Sequence, residues 1–241
     1  MKRLLSIAAL NLFVAGSALA QDAPPPPPWS SSLGAGLAVT SGNSDTQNLN
    51  FAFTTLWDPK SNRLFKAEAL YLRGEANEET TVDKSSALAR YERSWDRTFA
   101  FGEVSYLGDG LKGIYYLISP IVGGGYHIID TETRKLSVDG GAGAAFEKSD
   151  GLGSDSSPAV RAGESFEWAI SPTSRFTQKL SGLWKTDDFD DALYHFDAGI
   201  AASITTNAEL KLSYIYDYKN LPPPDAEKGD SAFVATVLYK F

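Results

Sequence analysis

The sequence predicts an all-β protein, an antiparallel transmembrane β-barrel of about twelve strands. Three features lead to this fold class: an N-terminal secretory signal, a regular series of segments with alternating polarity, and a last strand that ends on an aromatic residue. Beyond the signal, no stretch approaches the roughly 20 apolar residues that a spanning helix needs. Such a chain enters a membrane only as a closed barrel, because closure satisfies every backbone hydrogen-bonding group.

Residues 1–29 are predicted to lie outside the barrel. Residues 1–20 have a basic start, an apolar middle and the small-residue end Ala18-Leu19-Ala20, which is typical of a cleaved signal peptide. Residues 21–29 contain five consecutive prolines and form a proline-rich periplasmic linker, since proline cannot join a β-ladder. Residues 30–241 form the predicted barrel, and the expected location is the outer membrane of a Gram-negative bacterium.

Charge and cysteine content exclude several classes of function. The chain has a formal net charge of −8, which becomes −10 without the signal because Lys2 and Arg3 are lost. An acidic chain does not suit nucleic acid or anionic membrane surfaces as partners. The chain contains no cysteine, so its stability must come from the sheet rather than from disulfides.

Turn residues divide the barrel region into twelve predicted strands. The clearest alternation lies in residues 46–57, where Leu49, Phe51 and Phe53 alternate with polar or small residues. An even strand number is what a single-chain bacterial barrel requires. The predicted strands are residues 30–41, 46–57, 63–74, 84–95, 98–108, 113–128, 134–147, 158–170, 174–186, 191–204, 208–219 and 231–241.

Two parts of this series fit the alternation poorly. In the eighth predicted strand, Glu164 falls in phase with Phe166 and Trp168, on the row that should face lipid. We therefore expect a β-bulge or a shifted phase there. Glycine runs at 123–125 and 140–143 indicate bends, or the close approach of a bulky group in the lumen.

The connections alternate between short and long, which orients the barrel, because outer-membrane barrels have short periplasmic turns and longer outside loops. The predicted periplasmic turns are residues 58–62, 96–97, 129–133, 171–173 and 205–207. The predicted outer loops are residues 41–45, 75–83, 109–112, 148–157, 187–190 and 220–230. Both chain termini then lie on the periplasmic side.

Aromatic residues support this orientation independently, because Trp and Tyr collect at the two membrane interfaces. Four tryptophans fall at periplasmic strand ends: Trp29, Trp57, Trp95 and Trp168. A second set falls at outer strand ends: Tyr71, Tyr106, Tyr115, Trp184, Tyr194 and Tyr218. A soluble periplasmic barrel, with its apolar face inward, would not show this segregation.

The last strand, residues 231–241, carries a predicted assembly signal. Its outward row ends in Tyr239 and Phe241, an arrangement that resembles the C-terminal signal by which outer-membrane barrels are recognised. We therefore expect periplasmic chaperones and the barrel assembly machinery as partners during folding. In the membrane, the expected partners are outer-membrane lipid and lipopolysaccharide.

The inward rows carry charges of both signs, and charges inside a barrel must be paired or hydrated. The lumen candidates are Glu68, Arg90, Glu103, Arg161 and Glu167. One interpretation is a polar pore whose field selects small solutes. The other is a mutually neutralised network that fills a narrow lumen and stabilises the barrel. Both interpretations stay open at this point.

The predicted outer loops are acidic, above all in the cluster Asp187, Asp188, Asp190 and Asp191. Such a mouth concentrates small cations, and it suits divalent ions that bridge lipopolysaccharide phosphates. A need for soluble, solvated loops explains the same composition. The cluster lacks the ligand spacing of an EF-hand, so we expect no metal site there.

No catalytic constellation emerges from the sequence. The two histidines are His127 and His195. Ser203 is in phase with His195, but eight residues along one strand separate them by about 26 Å. Neither a G-x-S-x-G motif nor a zinc signature occurs. We therefore expect no enzyme activity, no cofactor and no metal.

The first predicted hairpin carries a family resemblance. Its turn, Ser41-Gly42-Asn43-Ser44-Asp45-Thr46, resembles the SGN(T/S)DT signature of the salt-induced outer membrane protein family, whose domain has no assigned function. The spacing of later features is similar as far as Phe241. The resemblance implies a small outer-membrane barrel, with a link to salt or osmotic stress in name only, and it supplies no catalytic residues.

These features predict an outer-membrane β-barrel that is a narrow, porin-like channel or an envelope component linked to salt or osmotic stress. One alternative is an outer-membrane barrel enzyme or lipid-binding protein. Another is a soluble periplasmic ligand-binding β-barrel. Conductance in planar bilayers separates a channel from an enzyme.

Overall fold

The computed structural model describes residues 28–41, 46–76, 79–110, 112–151, 153–222 and 226–241. The predicted signal peptide, most of the predicted linker and the turn 42–45 lie outside these ranges. The described residues form the strands β1 Trp29–Ser41, β2 Thr46–Trp57, β3 Arg63–Ala76, β4 Glu79–Trp95, β5 Thr98–Asp109, β6 Ile114–Asp130, β7 Arg134–Ser149, β8 Gly153–Ser171, β9 Ser174–Lys185, β10 Ala192–Ser203, β11 Ala208–Lys219 and β12 Gly229–Lys240. None of the described residues belongs to a helix long and apolar enough to cross a membrane.

The strands form a closed antiparallel barrel. Each strand pairs with its neighbours in the sequence, and β12 pairs with β1 to close the sheet. The closing ladder places Ser32 opposite Lys240 at one end and Ser41 opposite Ser231 at the other. The predicted fold class, an antiparallel transmembrane β-barrel of about twelve strands, is therefore confirmed.

Alternate residues of each strand face opposite sides of the barrel wall. On β1, Leu33 and Leu37 are 57% and 62% exposed and face outward, whereas Ala38 is 1% exposed and faces the lumen. On β12, Phe233 faces outward and Val234 faces inward in the same way. The apolar exterior suits lipid, and a soluble barrel would need the opposite arrangement.

The two ends of the barrel carry different connections. At one end, which we call the short-turn end, β1 begins, β12 ends and short turns join the strands between them. The opposite end is called the loop end. The short-turn end corresponds to the predicted periplasmic side, and the four predicted girdle tryptophans all lie near it. β1 begins at Trp29, one residue before the predicted start of the barrel.

Several strands extend further toward the loop end than predicted. β4 begins at Glu79 rather than at residue 84, and β8 begins at Gly153 rather than at residue 158. The predicted loops 75–83 and 148–157 are therefore mostly strand, and that prediction was wrong. Backbone pairing continues there without apolar alternation, because a ladder beyond the lipid-facing band does not need an apolar outer row.

Glu164 lies on the outward face, in phase with Phe166 and Trp168, and the expectation of a bulge there was wrong. The register with β7 and β9 is continuous at Glu164, and the shift between β8 and β9 falls at 169–171. Gln178 of β9 donates a hydrogen bond of 2.8 Å to the Glu164 carboxylate. This bond partly satisfies a polar group on an otherwise apolar face.

Glycine lets a bulky ring approach the inner wall near the short-turn end. A Cβ atom on Gly125 would lie 2.2 Å from the Phe99 ring, which is buried inside the barrel. Phe99 also packs against His127, with 4.7 Å between ring centroids. The expected close approach to the glycine run 123–125 is thus present, and His127 lies on the same inner row of β6 as Gly125.

The C-terminal residue extends the seam between β1 and β12. Phe241 and Ser31 exchange two backbone hydrogen bonds, of 2.9 and 3.1 Å, beyond the last pair of the ladder. The Phe241 side chain is 68% exposed, and its ring stacks on Tyr239 with 6.5 Å between centroids. Phe241 therefore joins the seam and presents an aromatic surface outside the barrel.

Deletion of Phe241 is expected to lower the amount of folded barrel in the outer membrane and to raise degraded or periplasmic protein. The deletion removes both the seam hydrogen bonds and the terminal ring. Phe233→Ala is the matched control, because Phe233 is a comparably exposed ring on the same row but lies far from the terminus. Membrane fractionation with heat-modifiable gel migration measures the result, and unchanged membrane levels of the deletion variant would refute the role of Phe241.

Candidate functional site

A cavity of about 350 Å³ runs along the inside of the barrel. Its lining reaches Ser41 and Asp230 at the loop end. Toward the other end, the lining includes Thr54, Lys66 and Lys211, each of which lies three residues from the short-turn end of its strand. The cavity therefore extends over most of the length of the lumen.

Apolar side chains line part of this lumen. Leu72, Val82, Ile215 and Val234 are buried and pack together on one side, and a second cluster includes Ile121 on another side. These patches were not predicted. An inward apolar residue only weakens the alternation from which the strand faces were assigned, so it gives no positive signal.

A layer of charged side chains crosses the lumen at one level. Five members each lie five residues from the short-turn end of their strands: Glu68, Arg90, Glu103, Asp139 and Lys179. Arg161 of β8 joins them through contacts with Glu103 and Asp139. We call these six residues the central layer. The first five share a level because they lie at equal distances from one rim of the barrel, and the side chain of Arg161 reaches this level from farther along β8.

One half of the central layer is a buried cluster of ion pairs. Arg90 contacts Glu103 at 3.0 Å and Asp139 at 3.1 Å, and it also contacts Glu92 at 2.7 Å. Arg161 contacts Glu103 at 3.1 Å and also binds Asp139. Each guanidinium serves more than one carboxylate, which offsets the cost of burying these charges.

The other half of the central layer is one ion pair, between Lys179 and Glu68. The Lys179 ammonium donates hydrogen bonds of 2.5 and 2.6 Å to the two carboxylate oxygens. The parent strands β9 and β3 are six strands apart in either direction around the barrel. The pair therefore bridges opposite walls of the lumen, and both side chains are 40% exposed.

A second set of charges crosses the lumen nearer the loop end. Asp217 of β11 contacts Lys84 of β4 at 2.5 Å and His195 Nδ1 at 2.7 Å. The strands β4 and β11 are five strands apart, so this contact also spans the lumen. Lys112, which is 3% exposed, contacts Asp230 at 2.6 Å across the loop-end mouth.

The predicted acidic loop does not act as one unit. Asp191 contacts Lys185 at 2.7 Å and Lys219 at 3.2 Å, beside a second cavity of about 340 Å³. Asp187 instead accepts a hydrogen bond of 2.7 Å from the Ser157 hydroxyl, which lowers the pKa of this exposed carboxyl. Asp191 is thus neutralised by lysines, while Asp187 remains on the surface.

The rest of the acidic cluster makes local contacts. The Asp188 carboxylate accepts a hydrogen bond of 3.0 Å from the Asp190 backbone N–H, and the Asp190 carbonyl accepts one of 2.9 Å from Asn220. Within the described residues, no group of three or more His, Cys, Asp or Glu side chains is arranged to hold a metal ion. These two aspartates therefore shape the loop and add surface charge.

The structure brings four of the five lumen candidates together in the central layer: Glu68, Arg90, Glu103 and Arg161. Glu167 lies apart from them. It is exposed near the short-turn end of β8 and stands outside the residues that line the long cavity. The sequence pattern placed these residues on the inner face, but it did not indicate which of them meet.

Other charged residues of the lumen were missed. Lys84 was the first residue of a predicted strand and Lys112 belonged to a predicted loop, so neither had an assigned face. Glu209 contacts Arg175 at 2.5 Å and Lys240 at 2.6 Å. The inward position of Glu209 could have been predicted from the sequence, because Glu209 is in phase with other polar residues of its strand.

Comparison with protein families matches residues 33–241 to a family described as a protein of unknown function, DUF481. The chain belongs to the DUF481 family. The match covers the region of the predicted family resemblance. It confirms the prediction that the chain belongs to a family whose domain has no assigned function. One relative of this chain is the uncharacterized protein YdiY of Escherichia coli strain K12, which is 23% identical over 205 residues, covering 83% of this chain and 77% of YdiY.

Solved structures similar to this DUF481 chain include porins and channels. The NanC porin has a TM-score of 0.58 at 11% identity and covers 87% of this chain and 100% of its own. The translocator domain of the autotransporter NalP from Neisseria meningitidis has a TM-score of 0.54 at 12% identity, with 88% of each chain covered. An outer membrane channel from Pseudomonas putida F1 scores 0.53 at 12% identity, over 90% of this chain and 96% of that channel. This likeness concerns the fold alone.

Proposed function

We propose that this chain is a narrow outer-membrane channel that passes small cations in preference to anions. The observation that carries the proposal is the long cavity, whose lining runs from the loop end to within three residues of the short-turn end on β2, β3 and β11. An interior that was only a packed core would not keep a cavity over most of its length. The apolar exterior and the porin-like fold support a place in the outer membrane.

The size of the cavity favours ions over larger solutes. Spread over an apolar band of roughly 25 Å, a volume of about 350 Å³ leaves a mean cross-section on the order of 14 Å² for the centre of a water-sized solute. Water and small ions suit this width, whereas a disaccharide such as sucrose is expected to be too wide. The proposed solutes are therefore small ions.

The charge of the lining favours cations. Ten Asp or Glu residues line the cavity against six Lys or Arg residues. Two of the acidic residues, Asp83 and Glu164, occupy outward positions on their strands. Without them, acidic residues still outnumber basic ones in the lining. Carboxylates in a narrow, low-dielectric passage raise the local cation concentration. Because most of these carboxylates have cationic partners, the expected preference is modest.

Flux from lipid vesicles tests the proposal. The protein, folded into vesicles, is expected to release trapped K⁺ faster than protein-free vesicles do, while trapped sucrose stays inside. A heat-denatured sample is the control for leakage caused by unfolded chains. Absence of K⁺ release by folded protein would contradict a channel, and release of sucrose at the same rate would contradict a narrow one.

The second candidate is an envelope component whose lumen is blocked, and the ion pairs that cross the central layer favour it. In that case the folded protein would release neither solute. A catalytic role has less support, because the sequence contains neither a G-x-S-x-G motif nor a zinc signature. We therefore propose that the chain is not an enzyme.

The cellular setting completes the proposal. Chaperones and the barrel assembly machinery would deliver the chain, and lipid and lipopolysaccharide would surround it. A role under salt or osmotic stress rests on the family resemblance only. Growth of a deletion strain at low and high NaCl, with the restored gene as control, tests that link, and equal growth of both strains at both concentrations would remove it.

The surface aspartates of the loop end are expected to add a salt-sensitive part of the cation preference. Asp187, Asp188 and Asp190 changed together to Asn should reduce the preference at 0.1 M salt, where the Debye length is about 10 Å, and have little effect at 1 M, where it is about 3 Å. Asp191 stays unchanged because it neutralises Lys185 and Lys219. Reversal potentials at both concentrations measure the effect, and an equal loss at both would place the aspartates inside the filter.

A further inference from the structure

The ion pair between Lys179 and Glu68 differs from the other charges of the central layer. Arg90 and Glu103 are 5% and 4% exposed, and their contacts fill one side of the lumen. Lys179 and Glu68 are 40% exposed at their side chains, and both line the long cavity. Lys179 and Glu68 are thus the most exposed charges of the central layer.

The space beside this pair is bounded by small side chains. Ser213, Thr236 and Ala52 line the same cavity from β11, β12 and β2. On the opposite side of the pair, Arg90 and its partners occupy the lumen. Lys211 of β11 and Asp197 of β10 line the cavity on the same side as these small residues. An ion that crosses the central layer therefore passes between the Lys179–Glu68 pair and this side of the wall.

Glu68 is the carboxylate that Lys179 binds directly. Lys66 and Lys211 act on it electrostatically, and Lys66 also contacts Glu92 at 3.4 Å. All three lysines line the cavity. Without the Glu68 carboxylate, Lys66 would keep Glu92 as a partner, whereas Lys179 would lose the carboxylate that it binds. This level of the lumen would then gain a net positive charge, with Asp197 as a further carboxylate near Lys179.

We propose that the Lys179–Glu68 pair, which we call the crossbar, is the selectivity element of the lumen, and that Glu68 sets the sign of the selectivity. This inference deepens the proposed channel function and rests on it. With Glu68 ionised, Lys179 is neutralised and the acidic remainder of the lining favours cations. With Glu68 neutral, the level of the crossbar becomes positive and favours anions. The bridging geometry also narrows the passage, because one pair joins opposite walls.

Single and double substitutions in planar bilayers test the crossbar. Glu68→Gln is expected to reverse the sign of the reversal potential in a KCl gradient, from K⁺ preference to Cl⁻ preference. Lys179→Gln should increase the K⁺ preference. The double substitution restores the local charge balance and removes the bridge, so it should keep the wild-type sign and raise the single-channel conductance. Heat-modifiable migration verifies that each variant folds.

Glu209→Gln is the matched control, because it removes an inward carboxylate that lies outside the lining of the cavity. Its reversal potential should stay near the wild-type value. The crossbar proposal is overturned if Glu68→Gln keeps the wild-type preference, or if Glu68→Gln and Lys179→Gln shift it in the same direction. If the wild type does not conduct but the double variant does, the crossbar blocks the lumen. In that case it is not a selectivity element, and the proposed function fails as well. If neither conducts, both proposals fail.

Discussion

Val104→Arg is expected to block most insertion of the barrel into lipid. Val104 lies midway along β5, between Ala89 and Pro120 of the neighbouring strands, and it is 48% exposed on the outward face. An arginine on the lipid-facing side near the bilayer midplane costs roughly 2–4 kcal/mol. Such a cost is a large fraction of the stability of a typical domain, so the folded fraction in vesicles should fall sharply.

Ser105→Arg is the matched control, with the same new side chain on the adjacent residue. Ser105 faces inward and lines the long cavity, so its guanidinium would enter hydrated space near Glu103. We expect insertion close to the wild-type level. Folded fractions are read from heat-modifiable migration, and their stability from urea titration in vesicles. Equal behaviour of the two variants, or the reverse order, would mean that the faces of β5 are wrongly assigned.

Arg90→Leu is expected to lower the free energy of unfolding by roughly 3–5 kcal/mol, the usual cost of removing one partner from a buried ion pair. The substitution leaves Glu92, Glu103 and Asp139 close together with fewer cations. It also removes the contact of the guanidinium with the Phe101 ring, 3.8 Å from its centroid. The urea midpoint of the folded barrel should therefore fall clearly.

Arg93→Leu provides the comparison for this loss. Arg93 lies on the same strand as Arg90 but is exposed, and its guanidinium lies 5.4 Å from the centroid of the Trp95 ring. The same change of chemistry there should alter the urea midpoint only slightly. If Arg90→Leu is as stable as Arg93→Leu, the cluster around Arg90 does not stabilise the barrel.

Much of the fold was predictable because a β-strand has a strict period of two. Leu49, Phe51 and Phe53 signal an outward row without any knowledge of the partner strands. The extension of β4 to Glu79 was not predictable in this way. Residues 79–83 carry no apolar alternation, and their pairing with β3 depends on a register that only the folded sheet defines.

The candidate site was predictable only in part, since the inward phase identifies charged residues but not their partners. Glu68 and Lys179 are 111 residues apart in the sequence. They meet because β3 and β9 occupy opposite walls and because both residues lie at the same height. Strand number and barrel closure set the first condition, and strand stagger sets the second. Neither condition is encoded in a local pattern.

The reversal potential of the unmodified protein in planar bilayers, measured across a KCl gradient, tests the central claim most directly. A narrow lumen lined by an excess of carboxylates predicts reproducible conductance with a modest preference for K⁺ over Cl⁻, and this preference should decrease as the salt concentration rises. Protein that migrates as a folded barrel but gives no conductance, or that prefers Cl⁻, would contradict the account.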